Sequence, residues 1–306
     1  KKGKHIITIP IEHHAVLYPC KYLETKGFDV TYLPVDEYGL VDPAELEAAI
    51  REDTILISVM YANNEIGTIE PISEIGKVAG EHGVPFHTDA VQAIGNFSLD
   101  LKGKDRDVNM LSLSAHKFYG PKGIGALYIR EGTEIDSYIH GGAQEKGKRA
   151  GTENVAGIAG MGKAIELATA NIEKHAEKIR KMRDRLRKGI MEIPHCRLNG
   201  HPEKRLPGNL NFSFEYIEGE SLLLMLDQMG ICSSTGSACS SGSLDPSHVL
   251  SAIGVPPEIA QGSLRLTLGD ANTEEDVDYV LEVLPQVVEK LRAISPFYKP
   301  SGACEK

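Results

Sequence analysis

The chain has 306 residues, 41% of them hydrophobic and 25% charged, enough for one large or two modest domains that each bury a core. A formal net charge of −10 argues against a broad footprint for nucleic acid or anionic membrane, leaving only local basic groups such as Lys146, Lys148 and Arg149 for small anions. No apolar run approaches the roughly 20 residues that span a bilayer, and the five cysteines contain no CxxC pair, so neither a disulfide framework nor a metal site is expected.

The chain opens without the charged and apolar regions of a secretory signal, as expected of a protein in a reducing cytoplasm, and Lys1 leads almost at once into an apolar run. Short β-branched and aromatic runs predict strands over 5–9, 30–33, 54–61, 84–88, 108–113 and 124–129. Helices are predicted over 13–26, over 43–51 with Asp42 as N-cap, and over 73–82. Repeated βα units imply an α/β fold: a mostly parallel sheet with helices on both faces and ligands at the carboxyl ends of the strands. Past Gly151 the texture changes to a long charged helix over 154–191 and a stretch rich in Pro, Gly and Asn over 194–209. Strands over 209–214, 230–233 and 263–268, with helices over 219–229, 246–253 and 273–294, make a smaller C-terminal α+β part. The expected division is a large ligand-binding domain over 1–152 and a connecting helix with a small domain over 153–306.

Two residues stand where chemistry belongs in such a fold. Asp89 ends one predicted strand, where it either caps the following turn or points into the ligand crevice. Lys117 follows the next, where desolvation would free its amine for a Schiff base, although a lone lysine there is commonly just a surface residue. Together they suit pyridoxal phosphate, which needs a lysine for its aldehyde and a carboxylate to keep its ring nitrogen protonated. Lys122 is the rival, but it sits in a Pro-Lys-Gly corner. His13 and His14 open the first helix, where an imidazole either stacks on a planar cofactor and moves protons or is simply exposed. Asn64, in an Asn/Gly turn after a third strand, is a hydrogen-bond candidate. The stretch from Gly141 to Thr152 suits a phosphate or is a loop without ligand.

Cys239 lies in a run of small polar residues over 233–243 that can scarcely bury it, which suits a sulfur nucleophile or carrier. Cys20, in an amphipathic helix, and Cys232, in a predicted strand, are read as packing residues, and Cys304 lies near the terminus. Arg265 alternates with apolar neighbours on a strand and needs an anionic partner, either a substrate carboxylate or a structural ion pair.

In order and spacing the runs 63–67, 87–92, 114–123, 149–152, 233–243 and 265–269 resemble those of the cysteine desulfurases, pyridoxal-phosphate enzymes of iron-sulfur-cluster assembly and nitrogen fixation. The resemblance covers essentially the whole chain. It implies a homodimer of the fold-type-I transferase class acting on L-cysteine. Lys117 would hold the cofactor, Asp89 its ring nitrogen, and Asn64 and Gln92 its phenolic oxygen. His13 would stack on the ring, Ser114 and His116 would bind the phosphate, and Thr152 would reach the phosphate of the partner subunit. Arg265 would hold the substrate carboxylate, and Cys239 would take the sulfur as a persulfide for an iron-sulfur scaffold protein. It also implies a family N-terminal segment of several tens of residues ahead of the point matching Lys1. A selenocysteine lyase or small-substrate aminotransferase of the same fold is the nearest alternative, and a non-catalytic scaffold subunit the more distant one. Cys239 speaks against an aminotransferase and Lys117 against a scaffold.

Overall fold

The computed structural model describes residues 3–236 and 246–298. Its first half alternates strands and helices: β1 (His5–Thr8), α1 (His14–Glu24), β2 (Asp29–Tyr32), α2 (Pro43–Ala49), β3 (Thr54–Ser58), α3 (Ile72–Glu81), β4 (Phe86–Asp89), β5 (Met110–Ser114) and β6 (Gly125–Ile129). The six strands form one sheet in the order β2-β1-β3-β4-β5-β6, parallel except for β6, which runs antiparallel to β5. Because β1 to β5 are parallel, their carboxyl ends share one edge. The chain leaves β1 for β2 on one side and returns to β3 on the other, so the order reverses between β1 and β3. Asp42 caps α2 as expected, its Oδ1 accepting from Ala44 N at 2.8 Å.

The core of this half lies between the sheet and α2 and α3, with Ile7, Ile57, Phe86, Leu46 and Ile75 all fully buried. Each such side chain contributes about 1.5–3 kcal/mol. Val249, Leu250 and Ile253, far along the chain, pack into the same core.

The second half comprises α4 (Val155–Thr169), α5 (Ile172–Ile190), β7 (Cys196–Leu198), β8 (Asn209–Phe214), α6 (Gly219–Gln228), α7 (His248–Ala252), α8 (Pro257–Ala260), β9 (Ser263–Thr267) and α9 (Glu274–Ile294). An antiparallel sheet, β7-β8-β9, packs on α5, α6 and α9 through a second core that includes Phe212, Met182, Leu222 and Leu284.

Three expectations need correction. The helix expected over 154–191 is two helices, because Asn171 leaves the helical region at φ −144° and ψ 37°. Each piece serves a different core: Ala164 of α4 packs with Phe118, and Met182 of α5 with Phe212, so the axis must turn. The strand expected over 230–233 does not form. That run finds no continuous partner strand, and only Ser234 beside it makes a single bridge, to Arg265. Cys232, expected to pack, is exposed for the same reason, whereas Cys20 is buried as expected. Strand β7 lies inside the stretch read as irregular, and the short α8, with Pro256 as N-cap and Pro257 as its first residue, is not among the expected helices.

Candidate active site

The edge shared by the parallel strands collects most of the residues that pattern singled out. In β4 the side chains alternate: Phe86 is in the apolar core, while His87 and Asp89 face the other way. Asp89 is opposite Ser112 of β5. His87 ties three strands, with Nδ1 2.8 Å from Ser58 Oγ on β3 and Nε2 2.8 Å from Ser112 Oγ on β5. Burial pushes the His87 imidazole below its ordinary pKa, and the Asp89 carboxylate partly offsets that. Asp89 also caps its own turn, with Oδ1 accepting from Val91 N at 3.0 Å. The capping role weighed for this residue is therefore present.

After β3 the chain makes a turn held by Asn63, which is fully buried. Its Oδ1 accepts from Glu65 N at 2.8 Å and Ile66 N at 2.9 Å, and its Nδ2 donates to Ile11 O at 2.8 Å. Gly67 closes the turn at φ +80°, and a Cβ there would meet Asn209 Oδ1 at 2.6 Å. Asn64 is thereby presented from a rigid support. Arg265 on β9 reaches it, its Nη1 donating to Asn64 O at 3.0 Å and its Nε to Ser234 Oγ at 3.1 Å.

His13 is the N-cap of α1, and its Nδ1 accepts from Ala15 N at 3.1 Å. A nitrogen that accepts carries no proton, so the neutral ring keeps its proton on Nε2. Glu12 beside it is fully buried, with Oε1 accepting from Met60 N at 2.5 Å and Oε2 without a hydrogen-bond partner among the described residues. Burial, and then the nearby Asp89 charge, push the Glu12 carboxyl well above its ordinary range.

Lys117 sits in a 3-10 turn, Ala115–Phe118, directly after β5. Tyr119 ends that turn in the left-handed region at φ 64°. Gly120 then passes so close to α4 that a Cβ would lie 2.9 Å from Ala115 Cβ and 3.1 Å from Ala164 Cβ. The side chain of Lys117 is exposed, so the described residues do not supply the desolvation expected for it.

Asn64, Gln92, Lys117 and Arg265 line one cavity of about 920 Å³, which extends past Tyr119 to α5 and to residues 269–271. Lys122 is not among its walls. Asp89, His13, Ser114 and His116 occupy or follow neighbouring strand ends without lining it, and Thr152 is exposed in the irregular chain before α4. Cys239 lies outside the described residues. Pattern reading missed Asn63, His87, Glu12 and Glu65. A polar residue alternating with apolar ones, as in Phe86-His87-Thr88-Asp89, is the signal that would have found His87.

The donor set fits pyridoxal phosphate: a lysine amine, a strand-end carboxylate, amide and hydroxyl donors and an arginine converge on one sheet edge beside a cavity large enough for a ring and its substrate.

Residues 1–280 match the family model for aminotransferase class-V. The chain is 64% identical over 295 residues, 96% of its own length and 72% of the relative's, to cysteine desulfurase IscS of Methanosarcina thermophila. Among solved structures, a NifS-like protein superposes with a TM-score of 0.87 at 42% identity, over 95% of this chain and 76% of that one. SspA in complex with cysteine superposes with a TM-score of 0.74 at 38% identity, over 89% and 76%. The chain therefore belongs to the class-V aminotransferases and, within them, to the cysteine desulfurase family.

Proposed function

We infer that this protein is a cysteine desulfurase that converts L-cysteine to L-alanine and passes the sulfur on for iron-sulfur-cluster assembly. The observation that carries the reading is the convergence of Asn64, Gln92, Lys117 and Arg265 on one cavity at the parallel strand ends. The division near residue 152 into a cofactor-binding part and a part bearing the cysteine segment belongs to the same proposal.

Pyridoxal phosphate, when bound, supplies an electron-withdrawing ring that makes the substrate's α-carbon acidic. Lys117 would hold it through its aldehyde and move the substrate's α-proton. The Asp89 carboxylate would keep the ring nitrogen protonated, His13 would stack on the ring, and Asn64 and Gln92 would donate to its oxygen. Ser114 and His116 would take the phosphate, joined by Thr152 from the partner subunit of a homodimer. Arg265 pairs with the substrate carboxylate. The Cys239 thiolate attacks the substrate sulfur: a sulfur–sulfur bond forms as the carbon–sulfur bond breaks, and the carbon left behind takes protons to become alanine. The resulting persulfide passes its outer sulfur to an acceptor thiolate on a scaffold protein, which restores the Cys239 thiol.

The test is direct. Purified protein supplied with pyridoxal phosphate, L-cysteine and a thiol reductant that releases the persulfide sulfur as sulfide should yield alanine and sulfide in equal amounts, and borohydride reduction followed by peptide mass spectrometry should place the cofactor on Lys117. An adduct on Lys122, or no alanine, would overturn the assignment.

A further inference from the structure

Residues 237–246 join Gly236 to Ser247 in the sequence, and Cys239 lies among them. One flank of that segment is held by Arg265 of β9, which itself bonds the turn after β3, and the other is held by that turn directly. On one flank, Arg265 N donates to Ser234 O at 2.6 Å, and the same arginine bonds Ser234 Oγ and Asn64 O through its side chain. On the other, Ser247 Oγ donates to Glu65 Oε2 at 2.5 Å while accepting from Val249 N at 3.1 Å, so it also caps α7. The next residue, His248, has Nε2 3.0 Å from Glu12 O, beside His13. Gly236 is pressed into the same corner: a Cβ there would come 2.7 Å from Glu65 Oε2 and 2.9 Å from Ser247 Cβ.

One buried carboxylate therefore touches both flanks. Glu65 is 2% exposed, and burial pushes its carboxyl above the ordinary range, against the opposing effects of the Ser247 bond and of Arg265. An apolar residue of similar size would fill the space without that cost, so the carboxylate is there for its bond.

We propose that Glu65 is a positioning residue for sulfur transfer: its carboxylate bonds Ser247, which follows the cysteine-bearing segment, and abuts Gly236, which precedes it, so that the flank at Ser247 is tied to the turn that presents Asn64. The inference rests on the desulfurase reading above. The geometry ties the segment's anchor to the residue next to Asn64, which the proposed function gives to the cofactor and substrate.

The experiment compares Glu65→Ala, Glu65→Gln and Ser247→Ala in the full chain loaded with pyridoxal phosphate. Three quantities are read: the spectral change on adding L-cysteine, the rate of persulfide formation on Cys239, and the rate of chymotryptic cleavage after Leu244. In Glu65→Ala the cysteine-induced spectral change should stay within about 2-fold of wild type, persulfide formation should fall about 10-fold or more, and cleavage should accelerate about 3-fold or more. Ser247→Ala, which removes the same bond from its other end, should shift all three in the same directions, and it decides the matter if Glu65→Ala does not fold. Glu65→Gln, able to accept from Ser247, should recover most of the persulfide rate. The proposal is overturned if persulfide formation is unchanged, if it falls only in step with the spectral response, or if cleavage does not change. A wild-type protein that makes no alanine would instead bring down the desulfurase reading, and this inference with it.

Discussion

Buried carboxyl groups set the residue-scale behaviour of this protein. Glu70 is 3% exposed, with Oε2 accepting from Val41 N at 3.0 Å and Oε1 without a hydrogen-bond partner among the described residues. Burial is the main cause that pushes its pKa up to about 8. The unfolded chain releases this proton near 4.5, so between roughly pH 4.5 and 8 the native state binds one proton more than the unfolded state. Stability from this group is full below that window, falls as pH rises through it, and levels off above. Its slope is at most about 1.4 kcal/mol per pH unit. Glu70→Gln should flatten the fall in melting temperature between pH 5 and 8 by an amount that corresponds to about one proton, as measured by calorimetry across that range. Chemistry at single residues is separable in the same way. Lys117→Ala should abolish turnover and the borohydride adduct while phosphate contacts retain part of the cofactor. Cys239→Ser should keep cofactor binding and the spectral response to cysteine but reduce alanine, persulfide and sulfur transfer to background, because a hydroxyl cannot carry a persulfide. Near wild-type persulfide in that variant would move attention to Cys232, which is exposed.

At the scale of elements, the ends of helices carry much of the specification. α9, the longest helix, begins with a capping box in which Thr273 Oγ1 accepts from Asp276 N at 3.3 Å and Asp276 Oδ2 accepts from Thr273 N at 3.0 Å. It opens with Glu274, Glu275 and Asp276, which favour the positive end of the helix dipole. Thr273→Ala should cost about 1 kcal/mol, and adding Asp276→Ala should cost less than the sum of the two single changes, because they share one motif. Denaturant midpoints of the two single variants and the double variant measure this. The opposite case is α7, only five residues long and capped by Ser247. It is too short to persist by itself, so its place depends on Val249 and Leu250 in the first core and on the bonds of Ser247 and His248.

The whole molecule is joined by a few polar contacts between chain regions far apart in sequence. Arg205 is 3% exposed, and its guanidinium donates to Ile66 O at 2.9 Å, Asn199 O at 3.3 Å, Asn209 O at 3.2 Å and His201 O at 3.3 Å. Burial, followed by the nearby Arg183 and Arg187 charges, lowers its pKa to about 9. Arg205→Ala should cost about 3 kcal/mol or more, since several buried carbonyls lose their donor together, and Arg205→Lys should not rescue it because an ammonium cannot span the same fork. Equilibrium unfolding decides both. Across the cavity mouth, Asp270 Oδ1 lies 2.7 Å from His175 Nε2, and Asp270 N donates to Tyr119 Oη at 3.0 Å, linking α5 and the chain after β9 to the lysine turn. No described helix is long and apolar enough to cross a membrane. If Thr152 serves a neighbouring phosphate, sedimentation should report a dimer, and a fully active monomer would refute the shared site.

Sequence alone determined the alternating βα order, the chain positions of Lys117 and Asp89 at successive strand ends, and the capping role of Asp42, because each is written in local periodicity and residue type. It also singled out Cys239, through the polarity of the residues around it. What needed the tertiary structure is everything set by partners distant in the chain. The break at Asn171 follows from two helices serving two cores, the failure of a strand over 230–233 from its lack of a continuous partner, and the exposure of Cys232 from that failure. Glu12, Glu65 and Glu70 look like ordinary surface acids in the sequence, and only the fold buries them. A carboxylate's meaning depends on what replaces its water, and no local pattern records which chain segment, 29 or 182 residues away, will do so.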